Sequence, residues 1–297
     1  MRITNNIVMR NAVSGLVGNR DAVLKLQREV SSGVRIQTAS DDPTIADRVM
    51  GSSSGLLAID QYKRNIDAAT TRNSMEDSSL TQVTDLMARA REIMVSQMTG
   101  TANAASRTVA SKEMEQIFNQ VVSIGNTQLD GSFVYGGDAS TTTPFVSTGT
   151  GATLDFTTSN PTGTRAIAVS AGQSLIPAHD GKQIFLDSGV LTSLRDASVA
   201  LAINDTTAGT TSMTTMDASF QKVQELLGET GARTNTLQIA TQNLTALKTN
   251  LMAFRSNAQD IDVEATVTAL VTKQTAYQAA MLATSKVLGM SLADYLR

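Results

Sequence analysis

Apolar residues recur at heptad spacing at both ends of this chain, and a narrow stripe of that kind is the seam one helix offers to another. Near the N-terminus Met9, Val13, Leu16, Val23 and Val30 follow a 4,3 repeat, with Arg20 and Gln27 filling the gaps. Near the C-terminus Val263, Val267, Leu270, Gln274, Tyr277, Met281, Thr284 and Leu288 do the same. The polar faces of these segments carry mostly Asn, Thr, Gln and Ser, where a solvated helix surface usually carries many Lys and Glu. An intramolecular bundle is the ordinary use of such stripes, but the uncharged faces point to burial in an assembly. Burying one a/d side chain contributes about 1.5 to 3 kcal/mol, while ordering a residue costs about 1 to 2 kcal/mol, so the isolated termini are expected to be marginal.

The 297-residue chain is 41% apolar, enough for real cores. It is 17% charged with a net charge of -3, which leaves no basic footprint for nucleic acid. With no cysteine and one histidine, disulfides, thiol nucleophiles, cysteine zinc sites and multi-histidine metal sites are excluded together. No catalytic residue, cofactor or metal is expected. The start MRITNNIVMRNAVSGL has no basic n-region leading into an apolar stretch and cleavage site, and no window approaches the roughly 18 apolar residues of a membrane span. We expect a chain without a cleaved signal and without a membrane partner.

Residues 5–32 read as a helix stopped by Gly33. Asp42 then caps and Pro43 opens the next helix, by side-chain hydrogen bonding, dipole and fixed φ. That helix is predicted to run to about Met98, with Leu80, Val83, Met87, Ala90 and Met94 in heptad register, and to span roughly 80 Å. Gly100 to Ala105 makes a turn, and Met114, Ile117, Val121, Ile124 and Gln128 mark a return helix ending near Leu129. From Gly131 to residue 187, β-prone runs alternate with Gly, Pro and Asn-Pro breakers, KQIFLDSG among them. A short helix is expected over 190–204 and a flexible polar link over 205–215. A last helical region from Met216, striped by Leu237, Ala240, Leu244, Leu247, Leu251, Phe254 and Ala258, should pass with little interruption into the C-terminal stripe.

The segment SSGVRIQTASDDPTIADR, residues 31–48, resembles the N-terminal signature of bacterial flagellins and their relatives. MRIT, GSFVYGGDASTTTPF and KQTAYQAAMLATSKVLGMSLADYLR are most similar to the members of that family that join hook to filament. The resemblance covers residues 1–145 and 216–297, more loosely the part between. It implies a mainly α fold with a small β-rich insertion, an elongated rod of long antiparallel helices with paired termini. It further implies an inner assembly domain at 1–35 with 260–297, a rod domain at 36–130 with 190–259, and an outer β-rich domain at 131–189. Export unfolded by a type III apparatus with the help of a chaperone, a ring of about eleven subunits, and contacts with an inner junction protein and with flagellin follow from the same likeness. The location implied is extracellular, at the hook–filament junction. A compact flagellin forming the filament itself is the alternative.

Residues of the types that carry chemistry have plainer explanations. His179, in the turn Pro177-Ala178-His179-Asp180-Gly181, is read as solvated, since no Gly-x-Ser-x-Gly elbow accompanies it. Ser219-Phe220-Gln221-Lys222 matches Ser-x-x-Lys but lacks the Ser-Asp-Asn and Lys-Thr-Gly companions. Asp41 and Asp42 are read as capping rather than metal-binding or acid–base groups.

Overall fold

The computed structural model describes residues 2–164 and 166–295, and their side chains except at 2–6, 8 and 287–295; among the described residues three α-helices precede a run of short hairpins and three follow it. Helix α1 spans Arg2–Ser32, α2 Pro43–Gln97, α3 Ala104–Gly125, α4 Val190–Ala202, α5 Thr206–Gln259 and α6 Val263–Tyr295. Between α3 and α4 lie strands β1 (Gln128–Leu129) and β2 (Ser132–Phe133), β3 (Phe145–Thr148) and β4 (Asp155–Thr158), and β5 (Ile167–Ser170) and β6 (Gln173–Leu175). They pair as three antiparallel two-stranded hairpins, with Phe145 opposite Thr158 and Thr148 opposite Asp155 in the central one. The fold is mainly α with a small β-rich insertion.

The chain divides into two compact units, one of Met1–Ala58 with Leu247–Arg297, the other of Ile59–Ala246. The second holds the core. Leu80, Val83, Met87, Ala90 and Met94 of α2 are completely buried, with Met114, Phe118 and Val121 of α3, Leu191 and Leu194 of α4, and Met216 and Val223 of α5. Within this unit α2 and α5 run antiparallel, shown by the reversed order of Lys63 with Thr245, Asn73 with Thr234 and Arg91 with Asp217. The insertion joins the core through aromatics. The Phe185 ring sits 5.3 Å from Tyr135 and 5.2 Å from Phe145, edge to face. Gly125 ends α3 beneath Phe145, where a Cβ would come within 2.8 Å of the ring.

Several boundaries differ from those predicted. The return helix ends at Gly125, capped by Asn126, so Gln128 and Leu129 form a strand instead. Lys182–Asp187 is a π-helical turn, not a strand. Adjacent Ile184 and Phe185 are both buried, which a strand, alternating its faces, cannot arrange on one surface. Residues 206–215 are the opening turns of α5 rather than a link. Asp205 Oδ1 accepts from the Thr207 and Ala208 N–H groups, and the hydroxyls of Thr210, Thr211, Ser212, Thr214 and Thr215 bond back to carbonyls three or four residues earlier. The C-terminal region is interrupted at residues 260–262, where Asp262 Oδ1 accepts from Ala265 N–H and starts α6 afresh.

His179 is not solvated. Its ring lies between α2 and α5, with Nδ1 2.5 Å from Glu76 Oε1 and Nε2 2.8 Å from Glu229 Oε2, and its backbone N–H donates to Glu76 Oε2 at 2.8 Å. Glu76 is fully buried and also accepts from Thr230 Oγ1, with Arg233 Nη1 3.5 Å away. Composition favoured a solvated turn, but a buried carboxylate needs donors, and the loop supplies two of them. Ser219 Oγ donates to Thr215 O and Lys222 Nζ to Asp187 O, so the two do not meet.

Candidate assembly surface

The first unit is built differently from the second. Among its described residues the buried apolar side chains are Ile36, Ala46 and Leu56, so it has no core comparable with that of residues 59–246. What organises it is a backbone junction. Gly33, at φ +75°, ends α1 in a left-handed conformation that only glycine takes without strain. Val34 then forms a bridge with Asp260, Arg35 N–H donates to Gln259 O at 2.7 Å and Ile261 N–H to Gly33 O at 3.1 Å. This fastens the end of α1 to the start of α6, and the two helices pack antiparallel.

The turn before α2 is held by two carboxylates. Asp42 Oδ1 accepts from the N–H groups of Thr44 and Ile45, both at 3.1 Å, with Pro43 between as the first helical residue. Asp41 Oδ2 accepts from Thr38 N–H and Oγ1–H at 3.0 Å and from Gln37 N–H at 3.2 Å, and its other oxygen lies 3.9 Å from Lys25 Nζ. The Thr38 N–H bond, followed by the Thr38 hydroxyl and Gln37, holds the Asp41 carboxyl below its ordinary value. The geometry is that of a hydrogen-bonded turn and helix start.

Each terminal stripe splits into two classes when its residues are located. Leu16, Val23 and Val30 on α1, and Leu270 and Tyr277 on α6, are half-buried, and Thr284 is buried. The other half of the covered α1 face is Ala12, Asn19 and Leu26; on α6 it is Thr266 and Ala280. Each stands one residue before the predicted Val13, Arg20, Gln27, Val267 and Met281. Those predicted positions stay open. Met9 and Val13 are each 44% exposed, Val263 59%, Val267 39% and Met281 44%. Leu288 lies in α6, outside the residues whose side chains are described, as does Tyr295.

The open apolar set is larger than the stripes. Ile7, Val17 and Leu24 on α1 and Val271 and Leu282 on α6 are also exposed. Val17 and Leu24 follow Leu16 and Val23 by one residue, and Val271 follows Leu270, so pairs of adjacent apolar residues at heptad spacing were the available signal. A pair of helices covers only one flank of each, and an apolar flank left open on both is chemically suited to receiving further helices. Among the described residues no group of three or more His, Asp or Glu is placed to hold a metal ion, and no helix is long and apolar enough to cross a membrane.

Comparison with known proteins bears on the family and the fold. The bacterial flagellin N-terminal helical region matches residues 3–139, and the C-terminal helical region matches residues 213–296. Flagellar hook-associated protein 3 of Escherichia coli K12 is 24% identical over 98% of this chain and 98% of its own length. A flagellin of Halalkalibacterium halodurans is 25% identical over 89% of this chain and 87% of its own. The solved structure of a provisionally assigned flagellar hook-associated protein from Vibrio parahaemolyticus superposes with a TM-score of 0.66 at 19% identity, over 74% of this chain and 100% of that one.

Proposed function

The chain belongs to the bacterial flagellin family, and on that premise we propose that it is a structural subunit of the flagellum, seated where hook meets filament. The observation that carries this reading is the end-to-end match to hook-associated protein 3, which spans nearly the whole of both chains. The flagellin match spans less of each. The open apolar flanks of α1 and α6 supply the means: copies of this chain bury them against one another, as a ring of about eleven subunits.

In this reading the domains take the layout suggested by the sequence. Residues 1–35 and 260–297 form the inner assembly layer, 36–130 with 190–259 the rod, and 131–189 the outer β-rich part. The ring contacts an inner junction protein on the hook side and flagellin on the filament side. The subunit is exported without a cleaved signal, accompanied by an export chaperone, and works outside the cell. It takes no cofactor and performs no catalysis; its task is mechanical, joining two tubes of different stiffness. Chains without disulfides and with weakly self-sustaining ends suit passage through a narrow export channel.

Deleting the gene separates this reading from its alternative. A junction subunit predicts cells that retain hooks, lack filaments and release flagellin monomer into the medium. A filament protein predicts instead that the major secreted polymer disappears. Full-length filaments on the deletion strain contradict both.

A further inference from the structure

His179 is the chain's only histidine, and its ring has more hydrogen-bonding partners than it has nitrogen atoms. Nδ1 faces Glu76 of α2. Nε2 faces two groups of α5 at once, Glu229 Oε2 at 2.8 Å and Arg233 Nη2 at 3.3 Å. One is an acceptor and the other a donor, so Nε2 satisfies one of them in each protonation state.

As imidazolium the ring donates from both nitrogens, to Glu76 and to Glu229, and Arg233 is the partner left out. When the ring loses a proton to solvent, the remaining hydrogen has to stay on Nδ1, because a lone pair there would face a fully buried carboxylate. Nε2 then becomes an acceptor, repelled by Glu229 and matched to the Arg233 N–H. We propose that His179 is a proton-operated partner switch, which holds Glu76 through Nδ1 in both states and exchanges Glu229 for Arg233 at Nε2.

The surroundings agree with this. Arg72 of α2 is committed to the Val134 carbonyl at 2.7 Å, and Arg72, Asp138 and Asp180 line the same cleft as His179. Tyr135 is buried, which holds its phenol protonated well above the ordinary value. The hydrogen bond that the ring donates to Glu76, opposed by burial and helped by Glu229, raises His179 above 6.5. A raised value means that the Glu229 link is complete below about pH 6.5 and is lost as pH rises through the folded value. Glu229 is 57% exposed, so its release frees a carboxylate on the surface of α5 for any cationic group that meets that face. The aromatic contacts of Phe185 do not titrate here, so the insertion stays docked while the charge pattern beside it changes.

The full chain with its histidine selectively labelled with 15N, titrated from about pH 5 to 10 by NMR, reads the switch directly. The expected result is one transition with a midpoint above 6.5, above which Nδ1 carries the proton and Nε2 does not. Glu229→Gln should lower the midpoint and keep that tautomer. Arg233→Gln should raise the midpoint, since it removes a like charge beside the imidazolium. A neutral ring protonated on Nε2, a midpoint at or below 6.5, or a midpoint unmoved by Glu229→Gln overturns the proposal. Wild type and Glu229→Gln suffice if the arginine variant does not fold.

Discussion

Aspartate placed at Leu270 or at its neighbour Val271 probes two different interfaces with the same side chain and nearly the same helix propensity. Leu270 is half-buried, on the α6 flank that faces α1, whereas Val271 is 56% exposed. Burying a Leu or Val fully contributes about 1.5 to 3 kcal/mol, so Val271→Asp costs the single chain only about 1 kcal/mol, while Leu270→Asp costs about 2 to 4 kcal/mol once the poorly solvated carboxylate is included. In an assembly the order changes. If copies of the chain cover the open flank, Val271→Asp forfeits the other half of its burial and forces a carboxylate out of water, together at least about 3 kcal/mol per interface, or roughly 100-fold in affinity. Hydrogen exchange on dilute protein over residues 263–286 measures the first effect, and incorporation into flagella the second. The expected outcome is near-normal exchange with failed incorporation for Val271→Asp, and accelerated exchange with failed incorporation for Leu270→Asp. Normal incorporation of Val271→Asp would refute the reasoning, because the open flank would then face solvent in the assembly.

Three further outcomes follow from named contacts. Met87→Ala removes a completely buried side chain from the main core and should cost about 2 to 5 kcal/mol, lowering the thermal midpoint by roughly 5 to 15 °C in calorimetry. Asp42→Ala leaves the Thr44 and Ile45 N–H groups without their acceptor and should cost about 1 kcal/mol, seen as faster exchange in the first turn of α2 and little change in the core melt. Acidification should open the 37–41 turn before the core. Asp41 sits below its ordinary 3.8, so its contribution is present above that value and is lost as pH falls through the lower folded one, which amide exchange at Thr38 reports.

Long periodic segments were legible in the sequence because a heptad repeat sustained over four turns has few other uses. Leu80, Val83, Met87, Ala90 and Met94 all reach zero exposure. Gly33 and the Asp-Pro start of α2 were legible because left-handed φ and a missing N–H are local properties. Residues 206–215 misled because threonine propensity suggests a link, while the Asp205 cap and Ser212 burial supply what propensity lacks. The His179 contacts could not be read at all, for its partners lie 103 and 50 residues away. At the termini the spacing identified helices that pair, yet it could not say which flank of each stripe the pair would cover, since Leu16 and Val17, or Leu270 and Val271, are both apolar.

The proposed function is a place: we propose that this subunit sits at the meeting of hook and filament and is held there by its terminal helices. Gold-labelled antibody against residues 131–189, imaged on intact flagella, tests it most directly. The account predicts label confined to a single band at the tip of the hook. Label distributed along the whole filament would contradict it and make the chain a filament subunit instead.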